Sequence, residues 1–343
     1  MATSYFFGPT LDDVMHDVVG EVLSRGELIR PSKGDALEIA GVMLEISNPR
    51  ARLSRTETRG IIFSALGELL WYLSGTNEVE FITYYIKKYA PLAEEGKIFG
   101  GYGPRLLSWN GPEQSWKGVN QISNITKMLK ARKDSRKAVI QLFDSTDITV
   151  KHKDVPCTCT LQFMLRGGKL HLFTNMRSND VHLGLPHDVF CFTMLQEIIA
   201  ASIGADLGSY KHAVGSMHLY VKDKGPAQRF LKEGFQGTKP VMQPMPSGDP
   251  WREIERVLIA EAAIRKGSTI DPIAADMDPY WADLVRLLQV FAAKKRSDLP
   301  GLKRIRAEMS NQTYVKFIDR LSRILAAASP VGSTGDKANE RSN

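Results

Sequence analysis

The chain has 343 residues, enough to bury a large core in one big domain or in one domain with an appendage. It carries 45 Lys and Arg against 38 Asp and Glu, a formal charge of +7, but the bases are mixed with acids along the chain, which suits a phosphorylated small molecule better than nucleic acid. No apolar run reaches the roughly 18 residues of a membrane span and no basic region leads into an apolar N-terminal segment, so no membrane association and a cytoplasmic location are expected. Three cysteines, two of them Cys157 and Cys159, make neither a disulfide framework nor a zinc site, and no metal is expected.

Leu11, Val14, Met15, Val18 and Val22 recur at helical spacing, with Gly26 as a stop. Ile29 to Asp35, containing Arg30 and Lys33, is a basic turn that either caps this helix or touches a phosphate. Residues 36–48 alternate as a strand. Thr56 to Leu73 has the period of a helix and places Glu68 among Leu66, Leu69 and Leu70. Such a glutamate is either an exposed helix residue or a sheltered carboxylate able to exchange protons near neutral pH. The glycine-rich stretch Phe99 to Gly103 has no P-loop lysine, which argues against a nucleoside triphosphate cradle. A helix over Val119–Ala131 follows, then the charged turn Asp134-Ser135-Arg136-Lys137 and a strand over 138–143.

Cys159–Arg166 and Lys169–Thr174 alternate around Gly167-Gly168, the signature of a hairpin with a type I′ turn. Cys157 then stands at the start of a strand, and Cys159 reads as a small hydrophobe in the sheet interior. Val189–Ile203 is helical, with Asp188 where an N-cap would stand, and Leu207–Val221 is a further strand. Strands in series with helices, with an antiparallel hairpin among them, indicate an α+β or mixed α/β domain. After about Pro240 a proline-rich linker leads to three helical patterns, 251–266, 279–293 and 301–327, with Asp249-Pro250 and Asp278-Pro279 as N-cap and N1 pairs. The expected division is a catalytic domain over 1–240, a helical extension over 241–330 and a polar, disordered tail over 331–343.

From about residue 8 to 240 an ordered set of short motifs resembles the thymidylate synthase family: Glu68-Leu69-Leu70-Trp71, Tyr102-Gly103, Asp134-Ser135-Arg136, Pro156-Cys157 with Gln162-Phe163 behind it, Arg177-Ser178-x-Asp180, Leu183-Gly184-Leu185-Pro186, and His218-x-Tyr220. The resemblance implies an α+β fold with a large, mostly antiparallel sheet and packed helices. It also implies a homodimer, 5,10-methylenetetrahydrofolate as co-substrate, and a pyrimidine nucleoside monophosphate as acceptor. By this likeness Cys157 is the nucleophile for pyrimidine C6. Arg177 binds the 5′-phosphate with Arg30 and Ser178 and lowers the thiol pKa, while Arg136 and Lys137 reach the phosphate from the partner subunit. Glu68 manages protons and water, Tyr102 helps remove the C5 proton, Asp180 orients the pterin, and His218 and Tyr220 hold the sugar.

The departures from the family pattern bear on the substrate. Where synthases acting on uracil have asparagine, this chain has His187-Asp188, and an acidic side chain complements the amino group and a protonated N3 of cytosine. Aspartate here resembles the cytidylate and deoxycytidylate hydroxymethylases; an N-cap would be the same residue for another reason. Thr158 replaces a histidine, Met176 a glutamine, Lys137 an arginine and Ser216 an aspartate, and the family's T-T-K segment is unrecognisable near Arg55-Thr56-Glu57. The short apolar C-terminus that closes a synthase site is replaced by helices. A synthase must exclude water while hydride passes to the nucleotide, whereas a hydroxymethylase must admit one water. Three readings follow: cytidylate 5-hydroxymethylation, thymidylate synthesis from deoxyuridylate, and nucleotide binding without chemistry.

Overall fold

The computed structural model describes residues 4–54, 61–111, 117–235, 241–268 and 276–328. The start of the expected Thr56–Leu73 helix, the segment Arg55 to Glu57 and the tail over 331–343 lie outside them. One seven-stranded sheet organises the chain. Its strands are β1 (Tyr5–Gly8), β2 (Glu27–Ile29), β3 (Ala36–Ile46), β4 (Val139–Gln141), β5 (Thr158–Arg166), β6 (Lys169–Asp180) and β7 (Asp206–Tyr220). They lie in the order β1-β3-β7-β6-β5-β4, with β2 on the other end of β3. The pairings β1–β3 and β6–β7 are parallel and the other four antiparallel, giving the mixed, mostly antiparallel sheet that the motifs imply. The β5–β6 hairpin turns through Gly167 and Gly168, both at positive φ (55° and 76°), as a type I′ turn demands.

Helices cover the sheet. In α1 (Leu11–Arg25) the residues at helical spacing are fully buried, and Thr10 caps the start by accepting from the amide of Asp13 at 3.2 Å. α2 (Ile62–Leu73) and α6 (Gly184–Ile203) are buried almost all round, and their sequences are mostly apolar, with Glu68 in the first and Glu197 in the second as buried exceptions. Between them in the chain come α3 (Val79–Tyr85), α4 (Tyr102–Leu107) and α5 (Gln121–Ala131), and α7 (Lys224–Lys232) follows β7. The C-terminal region forms four helices, α8 (Trp251–Arg265), α9 (Pro279–Lys295), α10 (Leu299–Glu308) and α11 (Gln312–Ala328), whose apolar residues join the core of the sheet region in one continuous cluster. Among the described residues no helix is long and apolar enough to cross a membrane.

Three sequence expectations need correction. α6 begins five residues earlier than Val189, so Asp188 lies inside the helix and is no N-cap. The pattern over 301–327 is two helices, because buried Asp283 of α9 accepts from the amides of Ser310 (3.0 Å) and Asn311 (2.7 Å) and ends the first run there. Asp278 caps α9 as expected, but at α8 the cap position is Pro250, with Asp249 accepting from Trp251 N at 3.3 Å.

Glu197 of α6 ties the layers together, accepting from Arg50 Nε (2.7 Å), from the amide of Met245 (3.1 Å) and from Arg52 Nη2, whose side chain is wholly buried. Removing the carboxylate strands a guanidinium without its counter-charge. Glu197→Ala should therefore cost about 3–5 kcal/mol in urea unfolding; a loss below about 1 kcal/mol, the range of an exposed pair, would show that the cluster carries no such weight.

Candidate active site

Cys157 is the residue before β5, and its carbonyl accepts from the amide of Arg177 at 2.9 Å, which sets the thiol and the cation side by side. The guanidinium folds back over the thiol: Nε donates to Pro156 O (2.9 Å), Nη2 to Val155 O (3.0 Å), and Nη2 lies 3.7 Å from Cys157 Sγ. Burial pushes the Cys157 thiol up; Arg177 pulls it down, Asp188 and Asp154 push it up, and Lys33 pulls it down. The expected effect of Arg177 thus has the right sign but is outweighed. Lys33 Nζ stands 3.8 Å from Asp154 Oδ1, so the basic turn that carries Arg30 comes near Cys157 through its lysine. Arg30 itself is exposed.

The β5–β6 register slips between Thr158 and Thr160, leaving Cys159 as the extra residue of a bulge. It is partly exposed, not in the sheet interior as its spacing suggested, and its carbonyl accepts from Leu142 N at 2.9 Å. The bulge places Thr158 against Tyr102, whose hydroxyl donates to Thr158 Oγ1 (2.9 Å) and accepts from Thr158 N (3.1 Å). Burial, with the charges of Cys157 and Asp188, holds the Tyr102 phenol well above its ordinary range, so it stays neutral.

At the far ends of β6 and β7, Ser178 Oγ meets His218 Nδ1 at 3.3 Å and the His218 ring stands edge-on to Tyr220. Asp180 Oδ1 accepts from the amides of His182 (2.8 Å) and Leu183 (3.1 Å), turning the chain from β6 into α6. Burial raises its carboxyl, against those two bonds and the nearby His218.

Asp188, one turn into α6, is half-buried; desolvation and the charge of Glu68 hold its carboxyl well above the usual carboxylate range against a bond from Asn179. Asn179 Nδ2 donates to Asp188 Oδ2 at 3.2 Å and to His212 Nε2 at 3.0 Å, and His212 Nδ1 lies 2.6 Å from the Tyr210 hydroxyl. Burial lowers His212 to about 3, so the ring is neutral, bare at Nε2 and protonated at Nδ1. Sequence reasoning passed over Asn179, yet it follows Ser178 and precedes Asp180 on a strand, and period-two alternation sends it to the opposite face, toward α6.

Glu68 is 5% exposed and accepts from the Tyr89 hydroxyl at 2.7 Å, which disposes of the exposed-helix reading. Tyr89 carried no motif and could not be found from spacing. The structure thus brings Cys157, Arg177, Tyr102, Asp188, Asp180, His218, Tyr220 and Glu68 around the ends of β5–β7 and the start of α6. Arg136 and Lys137, on the turn before β4, are exposed and form no ion pair among the described residues.

The profile of the family described as thymidylate synthase matches residues 14–266. The chain belongs to the thymidylate synthase family. A deoxyuridylate hydroxymethyltransferase of Bacillus phage SP01 is 32% identical over 228 residues, 64% of this chain. The chain spans 60% of the length of that relative.

The thiol electrostatics can be measured directly. Alkylation of Cys157 by iodoacetamide should reach half its limiting rate above the ordinary cysteine pKa of about 8.5, and Arg177→Ala should displace that midpoint further up, since removing a cation disfavours the thiolate. An unmoved midpoint would separate Arg177 from the thiol.

Proposed function

We propose that the protein is a folate-dependent 5-hydroxymethyltransferase acting on a cytidine nucleoside monophosphate. One observation carries the choice of base: Asp188, where an amide reads uracil in the family's synthases, is no helix cap but a half-buried carboxyl held above the ordinary carboxylate range and anchored by Asn179. Cytosine offers an amino donor and the N3 lone pair. A carboxyl with one proton pairs with both, and it can pass that proton to N3 as sulfur adds at C6, which an amide cannot do.

The residues then divide the work. Cys157 Sγ adds to C6 and the ring's electron pair moves to C5, with Arg177 stabilising the thiolate and, with Ser178, Arg30 and Lys33, the phosphate. Arg136 and Lys137 serve the phosphate of a partner subunit's site in a homodimer. C5 takes up the one-carbon unit; its proton leaves through the Tyr102 hydroxyl, which is already bonded to Thr158 and can relay rather than store it, and the bond from the new carbon to the folate nitrogen breaks, so that tetrahydrofolate leaves. Water adds to the resulting exocyclic methylene, its proton passing to Glu68, and the C6–S bond breaks to release the hydroxymethyl product. His218 and Tyr220 hold the sugar.

5,10-Methylenetetrahydrofolate supplies the carbon at the formaldehyde level. The residues fit it: Asp180 spends Oδ1 on two backbone amides, which leaves Oδ2 for the N–H groups of a pterin, and Trp71 Nε1 is a buried donor with no partner among the described residues. The name of the phage relative favours a second reading, deoxyuridylate hydroxymethylation, because a protonated carboxyl in the reversed orientation can donate to O4 and accept from N3–H of uracil.

Tritium release from C5-labelled CMP, dCMP and dUMP, with chromatography of the products, separates these readings. Cytidylates should be turned over to 5-hydroxymethyl products, and Asp188→Asn should lower their kcat/KM by about 1–3 kcal/mol or more while raising the affinity for uracil nucleotides. Wild-type turnover of dUMP alone would overturn the cytidylate reading.

A further inference from the structure

The helix that carries Glu68 is braced from behind by the C-terminal helices. A Cβ on Gly67 would meet Tyr85 Cγ at 2.2 Å and both Cδ atoms at 2.5 Å, so the Tyr85 ring lies on the glycine backbone where a larger residue has no room. The Tyr85 hydroxyl donates to Glu261 Oε1 of α8 at 2.8 Å. Glu261 is fully buried and accepts in turn from Arg265 Nε (2.8 Å) and Nη2 (3.3 Å), while the Arg265 guanidinium covers the Phe81 ring at 4.4 Å. From α9, Phe291 packs on Tyr85 with centroids 5.1 Å apart, and Lys295 Nζ donates to Tyr84 O at 3.1 Å. The end of α3 is therefore fixed on three sides. Four residues further on, Tyr89 donates to Glu68 Oε1.

We propose that Tyr85, clamped between Gly67 and Glu261, is a positioning residue for Glu68. The C-terminal helices thereby set the active-site carboxylate through two linked contacts: the ring against the residue preceding Glu68, and the tyrosine hydroxyl carried by the segment that Tyr85 anchors. This rests on the assignment of proton handling to Glu68 given above.

Tyr85→Phe keeps the ring over Gly67 but releases Glu261, Gly67→Ala drives the ring away, and Glu68→Gln serves as the reference. Each is assayed for kcat and nucleotide KM by tritium release, for the pH profile of kcat, and for nucleotide Kd by titration. Tyr85→Phe and Gly67→Ala should lower kcat by about ten- to a hundredfold, the effect of a misplaced group, with nucleotide KM and Kd held within about twofold. They should also change the shape of the kcat–pH profile. Ile259→Ser, at an exposed position of α8, should leave kcat unchanged. If Gly67→Ala does not fold, Tyr85→Phe decides alone. A loss of thermal stability in Tyr85→Phe with wild-type kcat and pH profile, while Glu68→Gln is inactive, would overturn the clamp and leave the role of Glu68 intact. Full activity in Glu68→Gln would overturn both.

Discussion

The amide of Arg177 donates to the carbonyl of Cys157, and the site depends on that pairing. It brings the two residues together, because strand register fixes which residues are opposite, and the guanidinium then lies 3.7 Å from the thiol sulfur. The bulge one residue later turns Thr158 onto the Tyr102 hydroxyl and moves Cys159 out of the pairing. Continuing along β6, the same register puts Asn179 beneath α6 and brings Asp180 level with His218. The positions of Cys157, Arg177, Thr158 and Asn179 are thus consecutive consequences of how β5, β6 and β7 align.

The second constraint is the cost of burial. Asp188, Asn179, His212 and Tyr210 form a polar line inside an otherwise apolar layer, where unpaired charge is expensive. Burial works against charge along this line: His212 is held far below the ordinary histidine range, and the Asp188 carboxyl is pushed up. On the proposed reading the same desolvation serves the chemistry, because a carboxyl shifted toward its acid form can give a proton to N3 of cytosine as sulfur adds at C6. The thiol is treated in the opposite way. Burial disfavours its reactive form, and Arg177 with Lys33 must work against that disadvantage.

Much of this was legible in the sequence, and the reason is local. Hydrophobic period located α1, α2 and the β5–β6 hairpin, and the Gly167-Gly168 pair gave its turn, because each depends on neighbours in the chain. Cys157, Arg177, Asp180 and His218 came from ordered motifs. What escaped depends on tertiary contacts: Tyr89 reaches Glu68 from a short turn without a motif, Lys33 meets Asp154 across the sheet, and Asp283 breaks a helical pattern from another helix. Asp188 shows both sides. Its identity was plain from the sequence, but its place inside α6 rather than at the cap follows from the Asp180 carboxyl, which takes the amides of His182 and Leu183 and starts the helix early.

Glu68 occupies a middle position, within a legible motif but bonded to Tyr89, which follows a segment whose Tyr85 is bonded to Glu261 of the C-terminal helices. The central claim, capture of a cytosine ring by Cys157 under the control of Asp188, is tested most directly by intact mass spectrometry of the denatured protein after incubation with methylenetetrahydrofolate and a 5-fluoro nucleotide. Fluorine cannot leave C5 as a proton does, so the adduct stalls before release. The account gives a Cys157-linked adduct with 5-fluorocytidylate and its loss in Asp188→Asn; an adduct with 5-fluorodeoxyuridylate alone, unaffected by that substitution, would contradict it.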